Sequence, residues 1–155
     1  MARVGILIAL LATAAFAADD PFLGTWKCNF DKSSTTVANP PPHPVSMTLR
    51  YERQGDGFRI TAESVAEDGQ KRSSERIVVY DGLEHPQTPG GPPGDVVVSR
   101  RISHNTEEIV YKSDGKVTTR ISRVVSADGK TLTYTSHYTP AKGEPNVVIL
   151  VYEKQ

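Results

Sequence analysis

The chain has 155 residues, a formal net charge of zero and an apolar fraction of 37%. A neutral chain excludes a general electrostatic attraction to nucleic acid or to anionic lipid, because such binding needs a clear excess of basic residues. From residue 18 onward Val, Ile and Thr number 34, whereas Leu and Ala number 11. β-Branched side chains suit a pleated surface, so this composition disfavours a helical protein. The length fits a single domain that is large enough to bury a core.

The first 17 residues have the three parts of a secretory signal peptide. Arg3 supplies a basic start, Val4 to Ala12 form an apolar run, and Ala15 and Ala17 are the small residues that a signal peptidase reads. The run is shorter than the ~20 residues that cross a bilayer, which disfavours the alternative of a retained anchor. We therefore predict a signal peptide over 1–17 and one exported domain over 18–155. The mature protein is expected in the periplasm or outside the cell, as a monomer without a membrane span.

Cys28 is the only cysteine of the chain, so no intramolecular disulfide can form. A catalytic thiol needs a nearby base, and no short motif of cysteine and histidine is present. The sequence therefore predicts that Cys28 is a buried core residue.

Five Asp-Gly dipeptides divide the chain, at residues 56–57, 68–69, 81–82, 114–115 and 128–129. This dipeptide favours the tight turns of β-hairpins. The segments between the turns predict nine strands, over Gly24–Phe30, Val45–Gln54, Phe58–Ala66, Lys71–Tyr80, Val96–Ser103, Glu107–Ser113, Lys116–Val125, Thr131–Tyr138 and Asn146–Glu153. Two proline-rich stretches, residues 39–44 and 85–95, are predicted as an extended connector and a long exposed loop. The pattern predicts an all-β fold, a single antiparallel up-and-down β-barrel of about 8–10 strands, with a two-sheet sandwich as the alternative.

The phrase Phe22-Leu23-Gly24-Thr25-Trp26-Lys27 resembles the opening of the calycin barrels, the lipocalins and fatty-acid-binding proteins. The chain from residue 18 onward also resembles a group of small exported bacterial proteins with a lipocalin-like fold and no settled activity. The shared features are the opening Gly24-Thr25-Trp26-Lys27, the pair Lys32-Ser33 and the segment Val125 to Thr133. The resemblance implies that Gly24 begins the first strand and that Trp26 plugs one end of a barrel.

The chain departs from the fatty-acid-binding proteins in two places. Their helical lid follows the first strand, where this chain has the prolines between Asp31 and Pro44. Their arginine two residues before the final-strand tyrosine is replaced here by Leu150, although Val151 to Lys154 resembles the rest of that strand. The resemblance therefore implies a fold and not the binding of fatty acids.

Two arginines lie in repeated Ser-Arg-x-x-Ser segments, Arg100 at 99–103 and Arg123 at 122–126. Strand alternation places Arg100 with Val96, Val98 and Ile102, and Arg123 with Val117, Ile121 and Val125. The same alternation assigns Tyr111, Tyr134 and Tyr138 to apolar faces. If those faces point inward, the five residues form a ligand-binding site for an anionic amphiphile, and each buried arginine needs a partner. In the alternative, the arginines reach solvent at strand ends while their stems pack.

No motif supports an enzyme or a metal centre. The four histidines do not form a metal-binding pattern, and Glu107 and Glu108 are adjacent, so they point to opposite sides of a strand. We therefore expect no catalysis, no metal and no cofactor. The favoured function is the binding of a small hydrophobic or amphipathic molecule. The alternative is a barrel filled by its own side chains that serves a structural or protein-interaction role.

Overall fold

The computed structural model describes residues 20–87, 94–140 and 144–155. The predicted signal peptide and the centre of the 85–95 loop lie outside these residues. The described residues form ten strands: β1 Gly24–Thr35, β2 Ser46–Gln54, β3 Gly57–Val65, β4 Lys71–Val78, β5 Asp81–Pro86, β6 Val96–Ser103, β7 Thr106–Ser113, β8 Lys116–Val125, β9 Thr131–Tyr138 and β10 Asn146–Lys154. This part of the chain contains no helix long and apolar enough to cross a membrane.

All ten strands belong to one antiparallel sheet in the order β4-β3-β2-β1-β10-β9-β8-β7-β6-β5. Every pair joins neighbours in the chain except β1 with β10. The sheet is rolled up, as a contact between distant strands shows. Tyr51 on β2 donates a hydrogen bond of 3.0 Å to Glu107 on β7, which is five places away in the sheet. In the described residues β4 and β5 form the two edges and do not pair, so the sheet stays open along a line that we call the seam. The predicted all-β, antiparallel, up-and-down fold is confirmed.

Two strand predictions were wrong. Asp81 to Pro86 was assigned to a turn and a loop, but it forms β5, which pairs only with β6. An edge strand tolerates Pro86 because it needs no hydrogen bonds on its outer side. β1 continues to Thr35, beyond the predicted end at Phe30. There Ser33 bridges an irregularity in the pairing, because its hydroxyl donates to the Asn29 carbonyl and accepts a bond from the Val151 amide, at 2.8 and 3.0 Å.

The turns show why glycine is needed at two kinds of position. Asp114 and Gly115 both have positive φ, 49° and 73°, as a two-residue hairpin of type I′ requires. At the predicted turn 56–57, the turn instead consists of Gly55 and Asp56, and Gly57 begins β3. A Cβ atom on Gly57 would lie 2.0 Å from the carbonyl oxygen of Val78, so glycine there permits the close approach of β4.

Trp26 is completely buried, as predicted, and its indole donates a hydrogen bond of 2.8 Å to the Phe22 carbonyl. It lies opposite Lys154, the last residue of β10, so it marks one end of the rolled sheet. The Lys154 ammonium lies 5.0 Å from the ring centroid. Gly24 begins β1 with a φ of +113°, a conformation that favours glycine. Cys28 belongs to the same buried cluster, and burial raises the pKa of its thiol.

Candidate functional site

A cleft with a volume of about 180 Å³ opens at the seam. One side consists of β4 and the other of the end of β5, while β3, β6 and β7 supply its floor. The apolar side chains of Ile60, Val97 and Ile109 line it, together with a few polar groups that include Ser99. We call this space the seam cleft. An apolar lining with a small number of polar groups is typical of sites for small ligands.

Arg76 and Tyr111 are the polar pair of the seam cleft. Arg76 pairs with Ile60 in the β3–β4 register, so its half-buried side chain shares the inner face of the sheet. Its Nη1 atom donates a long hydrogen bond of 3.4 Å to the Tyr111 hydroxyl. Its buried Nε atom has no hydrogen-bond partner among the described residues. The cleft therefore contains a positive charge whose hydrogen-bonding capacity is only partly used.

A polar layer lies deeper, formed by Arg123, Glu107, Tyr51 and Tyr80. Glu107 and Arg123 are 0% and 1% exposed, and Arg123 Nη1 donates to Glu107 Oε1 over 2.9 Å. The hydroxyls of Tyr51 and Tyr80 donate to the two oxygens of the same carboxylate. Along β8 the layer separates Val125, in the cluster around Trp26, from Ile121, in a smaller cluster with Ile109 and Tyr111. Along β8 the polar layer thus separates a filled end, around Trp26, from a cleft end.

The polar layer also affects the ionisation of its members. Burial raises the pKa of both Tyr51 and Tyr80 above the ordinary tyrosine range, and the nearby Glu107 charge raises it further. Burial disfavours the charge on Arg123, but the electrostatic effect of the neighbouring Tyr51 and Glu107 side chains outweighs it and raises the pKa of Arg123. Both phenols therefore stay protonated hydrogen-bond donors at neutral pH, and Arg123 keeps its charge.

The structure contradicts the predicted orientation of Arg100. Arg100 is exposed and lies opposite Glu108 and Asp81, whereas its neighbour Arg101 lies opposite the buried Glu107 and faces inward. Alternation could not choose the face, because three consecutive valines at 96–98 fit either side of β6. Arg100 therefore cannot reach the interior.

Arg101 has the inward position that was predicted for Arg100. The sequence analysis did not predict Arg101 as an inward residue. Its guanidinium carbon lies 4.5 Å from the Phe22 ring centroid and 4.7 Å from that of Tyr80. Its charge is paired with Asp20 at 3.0 Å. Arg101 therefore closes the filled end by stacking on aromatic rings, with a carboxylate already bound.

The other predicted site residues do face inward, Arg123 in the polar layer and Tyr111 at the seam cleft. Arg123 lies in the polar layer, and its guanidinium carbon is 5.5 Å from the Tyr134 ring centroid. Tyr111 is 2% exposed, lines the seam cleft and belongs to the buried cluster against which Tyr134 packs. Tyr138 is half-buried and shares the face of Tyr134 by alternation. Their role in binding a ligand stays a prediction.

Val117, which was predicted to share the face of Arg123, is 50% exposed. The pairing of β7 with β8 shifts between Tyr111 and Lys112, so the alternation along β8 changes before Thr119. The shift leaves Ile121 and Val125 buried beside Arg123, as predicted.

Arg76 and Glu107 were absent from the predicted site, although the sequence contains a signal for each. Arg76 alternates with Val78 on β4 and with Tyr80 just beyond it, and Glu107 alternates with Ile109 and Tyr111 on β7. The requirement that a buried arginine be paired pointed to such a carboxylate. No group of three or more His, Cys, Asp or Glu side chains is arranged to hold a metal within the described ranges.

The described residues thus form one antiparallel up-and-down sheet of ten strands, with the first strand paired to the last and an opening between the fourth and fifth. No protein-family model and no curated protein matches the sequence. The fold is similar to zebrafish ileal bile acid-binding protein complexed with cholic acid, with a TM-score of 0.56 and 17% identity over 87% of this chain and 99% of that one. As-p18, an extracellular fatty acid binding protein, has a TM-score of 0.49 and 10% identity over 88% of this chain and 97% of that one. Lobster apocrustacyanin A1 has a TM-score of 0.47 and 14% identity over 89% of this chain and 63% of that one. At these identities the likeness shows the fold alone.

Proposed function

We propose that the protein binds a small hydrophobic or amphipathic molecule in the seam cleft. The observation that carries this proposal is the cleft itself, an apolar space at the open seam with a few inward polar groups. The similar zebrafish protein, which is described as a bile acid-binding protein in complex with cholic acid, supports the same class of function. The site has no catalytic role in this function.

The size of the cleft limits the ligand. Its volume of about 180 Å³ lies below the range of roughly 300–1,000 Å³ that is usual for ligand pockets. The ligand is therefore small, or it extends outward between β4 and β5. No ladder of hydrogen bonds joins these strands in the described residues, so they can separate without breaking a strand pair.

The filled end supports the second candidate function, a barrel that binds no small molecule. Trp26, Phe22 and Tyr51 are each 1% exposed or less, and their cluster leaves the ligand only the other half of the interior. Under this alternative the seam cleft is a packing defect, and the protein acts through its surface.

We predict that the protein purified from its own compartment carries a small hydrophobic molecule in native mass spectrometry. Replacing Ala62, which lines the cleft, with Phe should abolish the added mass because the larger ring fills the space. The matched control is Thr61→Phe, one residue away on the opposite face of β3, which should keep the adduct. Absence of any adduct, together with no binding of an apolar fluorescent probe, would support the filled barrel.

We also propose that the chain is exported and processed, on the basis of the signal-like segment over 1–17. Amino-terminal sequencing of the natural protein should begin at Ala18 or within a residue or two of it. A chain that begins at Met1 and fractionates with membranes would contradict both the processing and the proposed compartment.

A further inference from the structure

Three arginines on the inner face of the rolled sheet have buried or half-buried side chains, and only one of the three lacks a carboxylate. Arg123 is paired with Glu107 at 2.9 Å and Arg101 with Asp20 at 3.0 Å. Among the described residues no carboxylate oxygen lies within 4 Å of a side-chain nitrogen of Arg76. Among these three arginines, Arg76 therefore has the one charge that the described part of the chain does not neutralise, and this charge lies at the seam cleft.

The other ionisable groups of the seam cleft already have partners. Glu75 lies 3.6 Å from Arg59, and His85 lies 2.9 Å from Asp81. The remaining polar contact of Arg76 is the neutral phenol of Tyr111, whose hydroxyl can also donate to a ligand. Arg76 is thus the group that an anionic ligand would neutralise.

The hydrogen bonding of Arg76 supports this assignment. All three inward arginines have one buried N–H group without a partner in the described residues, at Arg76 Nε, Arg101 Nη1 and Arg123 Nε. For Arg101 and Arg123 the charge itself is satisfied by a carboxylate, whereas Arg76 lacks both a carboxylate and a partner for its Nε. A buried donor without an acceptor costs free energy, so such a group usually has a bound partner that supplies the acceptor, such as a water molecule, an ion or a ligand.

We propose that Arg76 and Tyr111 hold the carboxylate head of an amphipathic acid, whose apolar body lies against Ile60, Val97 and Ile109. This inference rests on the proposed function and adds the class of its ligand. A planar guanidinium presents two parallel N–H groups that match the two oxygens of a carboxylate. One uncompensated positive charge matches a singly charged head, whereas a doubly charged phosphate would leave a second charge without a partner in a half-buried site.

The test compares octanoate with octanol by calorimetric titration against the parent protein, Arg76→Leu and Arg100→Leu. Arg76→Leu should weaken octanoate by about ten- to a hundredfold, because charge-assisted hydrogen bonds in a desolvated site are lost. Its affinity for octanol should stay within about twofold. Arg100→Leu should change neither affinity, since Arg100 lies on the outer face. Tyr111→Phe should weaken octanoate less than Arg76→Leu does, and should spare octanol.

Several results would overturn the inference. Equal losses for acid and alcohol in Arg76→Leu would assign Arg76 to packing, and equal affinity of the parent protein for both would show that no anion is selected. In both cases the proposed binding function would survive. Failure of the parent protein to bind either compound would instead overturn the proposed function and this inference with it. If Arg76→Leu does not fold, Arg76→Gln is used instead, because it removes the charge and keeps a polar side chain. The same comparison of octanoate with octanol then decides.

Discussion

Replacing Glu107 with Leu should lower the free energy of unfolding by about 3–5 kcal/mol, the usual effect of breaking a buried ion pair on one side. The substitution leaves the fully buried guanidinium of Arg123 without its carboxylate. It also removes the acceptor of the Tyr51 and Tyr80 hydroxyls. Urea unfolding followed by the fluorescence of Trp26, the only tryptophan of the chain, measures the change.

Two further variants separate the ion pair from general packing. The double variant with Glu107→Leu and Arg123→Leu should recover part of the loss, because no buried charge then remains unpaired. The matched control is Glu108→Leu, which removes the neighbouring carboxylate and its contact with the half-exposed Arg120. It should cost less than about 1 kcal/mol, as is usual for surface pairs. A double variant that is less stable than Glu107→Leu alone would contradict the role assigned to the unpaired charge.

Replacing Trp26 with Ala should lower the free energy of unfolding by about 3–5 kcal/mol, the range for removing a large aromatic side chain from a core. Trp26 is 0% exposed and is the largest fully buried side chain of the described residues. Its loss leaves a cavity among Phe22, Leu49 and Tyr152 and removes the hydrogen bond to the Phe22 carbonyl. Circular dichroism in urea measures the change, since the variant has no tryptophan to report.

Trp26→Phe should restore part of the stability because it refills most of the cavity but not the hydrogen bond. Lys27→Ala, at the next and exposed position of β1, should stay within about 0.5 kcal/mol of the parent protein. A loss of less than 1 kcal/mol for Trp26→Ala would show that Trp26 does not plug the filled end as its contacts indicate.

The strand order could be predicted from the sequence because local chemistry determines most of it. Asp114-Gly115 adopts the two positive φ angles of its turn, and the strands on either side pair as a hairpin. β5 could not be predicted in this way, because an edge strand of six residues that contains Gly82 and Pro86 has the composition of a loop. Its pairing with β6, and not its own propensity, makes it a strand.

The candidate site was harder to predict than the fold because each strand has two faces. Arg100 and Arg101 are adjacent, so an error of one residue exchanges an exposed arginine for an inward one. Arg123 was assigned correctly to the interior because Ile121 and Val125 are buried on the same face of β8. The carboxylate that neutralises it, Glu107, comes from another strand, and that proximity depends on the register of β7 with β8. No local pattern contains this information.

The sheet is open between β4 and β5, which follow one another in the chain, and it is paired between β1 and β10, which lie far apart in the chain. This arrangement affects the order of folding. Only two residues connect β4 to β5, yet no hydrogen-bond ladder joins these two strands in the described residues. By contrast, β1 and β10 share a ladder, although Asn29 on β1 and Glu153 on β10 are 124 positions apart. Every other pairing is a local hairpin, which forms quickly once its turn closes. The pairing of β1 with β10 must instead overcome the entropy of closing nearly the whole chain. As the chain emerges amino terminus first, β1 and the strands paired to it therefore keep one edge unpaired until β10 follows, so mispairing is most favoured just before β10 joins the sheet.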